Sequence, residues 1–276
     1  MKVVVTGASG FIGRYVLTEL EKYQVDVTVV TRDTARLEGL ELSCGVVEMD
    51  LALPSADCFD LLGRPDVLIH LAWDGLPNYK SLHHFETELP RQFNFLNRMI
   101  EAGLPSLLVT GTCFEYGMQS GALAADLNTK PNNPYGYAKD ALRQQLEFLK
   151  LHNNFNLTWA RLFYMYGDGQ PSTSLYPKLK EAVLNKELVF NMSGGEQLRD
   201  YLPVHDVARQ IVQLAVNHND VRTVNICSGN PISVRRLVEQ WVSDNNWDIK
   251  LNLGYYPYPD YEPMAFWGER QILEKV

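Results

Sequence analysis

Residues Lys2 to Gly13 read Lys-Val-Val-Val-Thr-Gly-Ala-Ser-Gly-Phe-Ile-Gly, an order that few folds can use. Val3, Val4, Val5 and Thr6 are apolar or β-branched and predict a short buried strand. Glycines follow at 7, 10 and 13, and the amphipathic run Phe11 to Leu20 predicts a helix. Gly7 would turn the chain tightly, Gly10 would let backbone approach a pyrophosphate, and Gly13 would let helix and strand pack closely. The bare N–H groups and dipole at such a helix start attract phosphate. The spacing is Gly-x-x-Gly-x-x-Gly rather than the Gly-x-Gly-x-x-Gly of the commonest dinucleotide turn. Arg14-Tyr15 after the last glycine excludes a P-loop, which needs Lys-Ser/Thr there. A glycine turn without a ligand is the competing reading, and the order strand, turn, helix makes it the weaker one.

The whole chain narrows the classes further. Its 276 residues suffice for one large domain or one and a half, and its 46% hydrophobic and 21% charged content is that of a soluble globular protein. A net charge of -8 argues against nucleic acid or an anionic membrane as partner. No apolar run approaches the ~20 residues of a membrane span, and Met1-Lys2 leads directly into a strand, without room for a signal peptide. Cys44, Cys58, Cys113 and Cys227 are scattered, so neither a disulfide framework nor a metal site is expected. A cytoplasmic location follows, with the sequons at Asn156 and Asn191 read as chance.

Strands and helices alternate, the pattern of an α/β, Rossmann-type doubly wound parallel sheet. Further strands are predicted at Val25–Val30, Gly45–Met49, Val67–Leu71, Leu107–Thr110 and Leu157–Arg161. Long helices are predicted at Leu82–Ala102, closed by Gly103, and at Tyr135–Leu151. Beyond this the pattern breaks, with one helix at Tyr176–Asn185, then helix Asp206–Val216 and a strand at Thr223–Ile226 that returns to the sheet. The division expected is a dinucleotide domain of 1–162 plus about 200–226. A small discontinuous C-terminal substrate domain takes about 163–199 plus 227–276, with the active site in the cleft between.

Thr6-Gly7-x-x-Gly10-Phe11-Ile12-Gly13 resembles the extended branch of the short-chain dehydrogenase/reductase superfamily, which handles sugar nucleotides. The resemblance implies cofactor contacts from Gly7, Ser9, Gly10, Phe11, Ile12 and Gly13, from Asp50-Leu51 at the adenine, and from Leu71 and Ala72 beyond the fourth strand. His70, which opens that last motif, reads as structural. Where NAD binders carry a ribose-binding carboxylate, this chain has Thr31, then Arg32. Thr31-Arg32 resembles reductases whose arginine clamps the 2′-phosphate of NADP. NADP(H) is therefore favoured, with NAD(H) left possible through Asp33.

Tyr135 and Lys139 stand four apart and share one helix face. A lone Tyr-x-x-x-Lys is weak, but in this superfamily the catalytic pair follows the fifth strand, as here. A lysine cation beside a phenol of pKa ~10 is expected to lower it and so make Tyr135 a usable acid or base. Lys139 would also hold the nicotinamide ribose. The register of Tyr116-Gly117 against the family's Ser-Ser-x-x-x-Tyr-Gly puts Thr112 in the third catalytic position, orienting the substrate carbonyl. Sugar-nucleotide 4,6-dehydratases carry Thr-Asp-Glu there. Cys113 and Phe114 replace the carboxylates, so dehydration is not expected.

Arg161-Leu162-Phe163-Tyr164-Met165-Tyr166-Gly167 resembles the family's Arg-x-x-Asn-x-Tyr-Gly-Pro, with Tyr164 and Asp168 departing from it. Arg199-Asp200-Tyr201 through Asp206 resembles its Arg-Asp-Tyr-x-x-Val-x-Asp signature, in which the arginine pairs with a substrate pyrophosphate. Asp206 is expected to cap the next helix. Substrate contacts are thus expected from Thr112, Tyr135, Tyr164 and Arg199. The tail Tyr261 to Gly268 also resembles sugar-nucleotide reductases. Taken together, the resemblance implies NADP-dependent reduction of an NDP-4-keto-6-deoxyhexose by a homodimer. A 4-epimerase with tightly bound NAD is the nearest alternative, and a non-catalytic dinucleotide sensor the alternative from another class.

Overall fold

The computed structural model describes residues 1–38, 44–217 and 220–271, so the last five positions of the expected substrate domain lie outside the described residues. The central sheet comprises β1 (Lys2–Thr6), β2 (Asp26–Thr31), β3 (Gly45–Glu48), β4 (Val67–His70), β5 (Ser106–Thr112), β6 (Asn156–Leu162) and β7 (Arg222–Ile226). Their order is β7-β6-β5-β4-β1-β2-β3, every pair parallel, which is the doubly wound arrangement. Side chains alternate across it as the pleat requires. Val3, Val5, Val67 and Ile69 enter one apolar cluster, and Val4, Leu68, Leu107 and Val109 enter the other. Because both faces are covered, the strands read as continuous apolar runs.

The helices are α1 (Phe11–Leu20), α2 (Leu89–Glu101), α3 (Pro134–Leu149), α4 (Leu175–Leu184), α5 (Val204–Val216) and α6 (Val234–Asp244). α1 and α5 pack together over one face of the sheet, α2 and α3 over the other. Leu179, Phe190, Met192, Leu237, Val238 and Trp241 belong to a third apolar cluster, beyond the C-terminal strand ends.

Three local expectations are corrected. The run expected as one helix from Leu82 enters through a π-helical turn, His84–Glu88, before α2. Pro90 lacks the N–H that an α-helix would direct four residues back, so the wider turn is accommodated there. Asp206 does not cap α5: Pro203 stands at the cap, and Asp206 lies in the first turn, 2.7 Å from Arg209. There its charge still complements the helix dipole. Finally, α6 was not expected, although Val234, Leu237, Val238 and Trp241 are buried at a helical period and the Ser233 side chain caps its start.

Candidate active site

The turn after β1 approaches the end of β4 so closely that a Cβ on Gly7, whose φ is +73°, would lie 2.7 Å from the Ala72 nitrogen. A Cβ on Gly13 would lie 2.3 Å from the Gly7 carbonyl, which is why α1 can rest against the turn. Over this seam lies a cavity of about 240 Å³. Gly7, Ser9, Gly10, Thr31, Arg32, Asp50, Leu51, Leu71 and Ala72 line it. Phe11, Ile12 and Gly13 do not; they form the first turn of α1, whose start at Gly10 has no side-chain cap. Those N–H groups suit an anion. The donor set therefore fits a dinucleotide, with glycine backbone and a helix start in the middle and arginines at the far end.

At that far end Asp33 turns into its own loop. Its carboxylate accepts from the Ala35 N–H at 3.0 Å and faces Arg36 at 3.9 Å, while the Thr31 hydroxyl donates to the Asp33 carbonyl. Asp33 does not line the cavity, whereas Arg32 and Arg36 do. Arg32 is 51% exposed and lies 3.8 Å from Asp74. His70 is fully buried, its Nδ1 sharing a 2.9 Å hydrogen bond with the Thr6 hydroxyl, and burial presses its pKa down to about 3. Neutral at physiological pH, it is a fixed part of the strand pair.

Tyr135 opens α3 behind Asn133, whose side chain accepts from the Gly136 N–H at 2.9 Å. Its ring is enclosed by Trp73, Tyr79, His84 and Phe114, with centroids 6.0, 5.6, 5.2 and 6.4 Å away. Lys139, one turn on, donates to the Thr110 carbonyl at 2.9 Å and sits beneath the Trp73 indole, 4.0 Å from its centroid. The expected electrostatics are corrected here. Burial drives the Tyr135 phenol upward from 10.0, the hydrogen bond with Thr112 pulling it back only in part. Lys139 is itself lowered from 10.5 to about 7 by the same burial. The ammonium is engaged by Thr110 and Trp73, so desolvation governs both groups.

Thr112 ends β5 and caps the following turn, accepting from the Phe114 N–H at 3.3 Å. Glu115 closes the reciprocal half of this capping box, accepting from the Thr112 N–H at 2.8 Å. Buried Glu115 also meets Arg161 at 2.6 Å and receives the Trp159 indole N–H. Arg161, half of a motif quoted for the substrate, thus anchors the loop that carries Thr112. Glu115 escaped notice in the sequence, although Thr112-x-x-Glu115 spells a capping box.

A second cavity of about 550 Å³ lies under the third apolar cluster. Its walls are mainly aromatic, with Tyr79, Phe114, Tyr164, Tyr166, Tyr176, Tyr201, Trp241 and Tyr261, and its charges come from Lys80 and Glu262. Tyr164 is at this cavity, its hydroxyl hydrogen-bonded to Glu262. Arg199 is not presented to it. The guanidinium is buried, reaches Glu262 at 2.7 Å and lies over Phe266. Desolvation raises the buried Cys113 thiol, which stands where dehydratases have a carboxylate, so it stays protonated.

A doubly wound sheet with a glycine turn over its switch point defines a dinucleotide-dependent enzyme. The model of the NAD dependent epimerase/dehydratase family matches residues 3–227, and the chain belongs to that family. It is 32% identical, over 98% of its length and 100% of the relative's, to dTDP-6-deoxy-L-talose 4-dehydrogenase (NAD(+)) of Aggregatibacter actinomycetemcomitans. To GDP-6-deoxy-D-talose 4-dehydrogenase of the same organism it is 26% identical, over 96% of this chain and 87% of the other. Among solved structures, MoeE5 in complex with UDP-glucose and NAD superposes with a TM-score of 0.80 at 26% identity, covering 98% of this chain and 90% of that one.

Proposed function

We propose that this enzyme reduces the C4 ketone of an NDP-4-keto-6-deoxyhexose to the corresponding NDP-deoxysugar, in the cytoplasm. The observation that carries the reading is the convergence of Thr112, Tyr135 and Lys139 between a dinucleotide cavity and a larger aromatic one. The 32% relative is named for oxidoreduction at C4 of a dTDP-6-deoxyhexose, and the substrate class follows that name. The nicotinamide supplies the hydride. Tyr135 delivers a proton to the sugar oxygen, Thr112 holds that oxygen, and Lys139 positions the nicotinamide ribose. Aromatic walls suit a base and a deoxysugar. Arg199, with Glu262 beside it, remains the cation proposed for the diphosphate once Glu262 yields.

NADP(H) is favoured because Arg32 and Arg36 border the ribose end while Asp33 faces away. The name of the 32% relative, which specifies NAD(+), favours NAD(H) instead. A 4-epimerase is the rival reaction. The segments about 163–199 plus 227–276, which supply Tyr164, Tyr176 and Trp241 to the second cavity, are proposed as the substrate lobe. Exposed Tyr137, Phe148 and Leu151 on and just beyond α3, with Leu82 ahead of α2, are proposed to pair in a homodimer. Sedimentation at the monomer mass would discard the dimer.

To test the reaction, the enzyme is given NADPH or NADH deuterated on the transferred face and a panel of dTDP-, GDP- and CDP-4-keto-6-deoxyhexoses. Stoichiometric oxidation with deuterium at sugar C4 is expected. Interconversion of two NDP-hexoses without net cofactor change or deuterium uptake would make it an epimerase.

A further inference from the structure

Hydride and proton transfer require the nicotinamide, the sugar carbon and the phenol to be in near-contact. In this structure they cannot be. Tyr135 is 8% exposed and Lys139 1%, and neither borders either cavity. Trp73 borders the dinucleotide cavity, and Tyr79 and Phe114 border the substrate cavity. All three rings pack against Tyr135.

Trp73 is the one of these rings on the cofactor side. It stands directly after Ala72, where β4 delivers the chain to the glycine turn. Its indole covers the Lys139 ammonium at 4.0 Å from the centroid and meets Tyr135 edge-on. One hydrogen bond holds it there, from the indole N–H to His84 Nδ1 at 3.1 Å. Burial keeps His84 neutral, so Nδ1 can accept while Nε2 donates to the Asn78 carbonyl at 2.9 Å. The segment that follows turns at Gly75, with φ +86°.

We infer that Trp73 is a cap on Lys139 that the nicotinamide half of the cofactor displaces, so that dinucleotide binding itself uncovers the catalytic pair. The inference rests on the reading of Tyr135 and Lys139 as the nicotinamide end of the site. Its physical basis is competition. Lys139, dried by burial, has the Thr110 carbonyl and the indole face as partners, and ribose hydroxyls would replace the second. A cation–π contact of this kind opposes entry by about 2- to 30-fold in affinity. Adenosine-side fragments, which carry no nicotinamide ribose to reach Lys139, are not opposed.

The test is intrinsic tryptophan fluorescence of the full chain, titrated with NADP+ or NAD+ and with ADP or its 2′-phosphate, which lack the nicotinamide and its ribose. The oxidised dinucleotides do not absorb tryptophan emission. A change produced by the dinucleotide, absent with the ADP counterpart and lost in Trp73→Phe, is expected. In parallel, Trp73→Ala should tighten the dinucleotide several-fold by calorimetry while leaving the ADP affinity unchanged. Binding of the dinucleotide with no Trp73-dependent signal, or weaker dinucleotide binding by Trp73→Ala, overturns the cap and leaves the reaction assignment standing. Failure of any dinucleotide to bind overturns both. Should Trp73→Ala not fold, the titration of the native chain against Trp73→Phe decides alone.

Discussion

Lys139→Met should abolish turnover and yet make the protein more stable. Lys139 is 1% exposed, and burial lowers it from 10.5 to about 7. An unfolded lysine is fully protonated at pH 7, so holding this one in the fold costs on the order of 4 kcal/mol there. Methionine matches the stem and carries no charge. It forfeits the hydrogen bond to the Thr110 carbonyl, which returns about 1–2 kcal/mol. The net expectation is a gain of about 2–3 kcal/mol at pH 7, read as a higher urea midpoint at unchanged slope.

The sign of the pH dependence follows from the lowered folded value. The penalty is complete below about pH 7, where both states are protonated. It shrinks as pH rises towards 10.5, because there the unfolded chain binds more protons than the fold. At pH 9 it is about 2 kcal/mol, and the advantage of methionine should nearly vanish. Contributions of the buried tyrosines cancel in the difference between the two proteins. A Lys139→Met protein that is equally or less stable at pH 7, or an advantage that does not narrow by pH 9, would refute the account of Lys139 as a dried cation.

Arg32→Ala should weaken NADPH binding by about 10- to 100-fold, as expected of a charge-assisted phosphate contact. NADH binding should be nearly untouched, and equal losses in calorimetry would remove the 2′-phosphate role. Tyr135→Phe keeps the ring inside its aromatic enclosure and removes only the acid. Turnover should fall by about 10²–10⁴-fold with cofactor affinity retained, and near-normal turnover would mean another group supplies the proton. Glu115→Ala leaves Arg161 buried without its partner and should cost about 3–5 kcal/mol of stability. Adding Arg161→Met should recover part of that loss, and chemical denaturation of the single and double variants checks both.

Sheet, glycine turn and the shared helix of Tyr135 and Lys139 were legible because each is set by short-range chemistry. A four-residue spacing on a helix or an apolar run bounded by glycine needs no knowledge of distant residues. The Tyr135 environment depends instead on Trp73, Tyr79 and His84, which reach it from a loop some sixty residues earlier. Nothing in Tyr-x-x-x-Lys signals that enclosure, and so the phenol was expected to be lowered where the fold raises it. The surroundings of Arg199 were hidden for the same reason. Its motif announces a cation for phosphate, but Glu262 arrives from 63 positions later to pair with it. By contrast α6 was legible and was passed over, its apolar period hidden among charged residues.

Tyr135 and Lys139 are matched in a way that bears on the direction of the chemistry. A reductive step needs a protonated phenol beside the substrate oxygen, and burial among aromatic rings keeps Tyr135 in that form. The oxidative step needs phenolate, which this site opposes unless a positive charge comes close. Lys139 is a poor source of it while its pKa lies near 7 and its ammonium faces Thr110 and Trp73. Uncovering Lys139 would rehydrate it, restore its charge and bring the phenol down towards the working range. The same displacement that admits the nicotinamide would thus switch on the base. Both directions require the cap to have left, and until then the closed site keeps Tyr135 protonated.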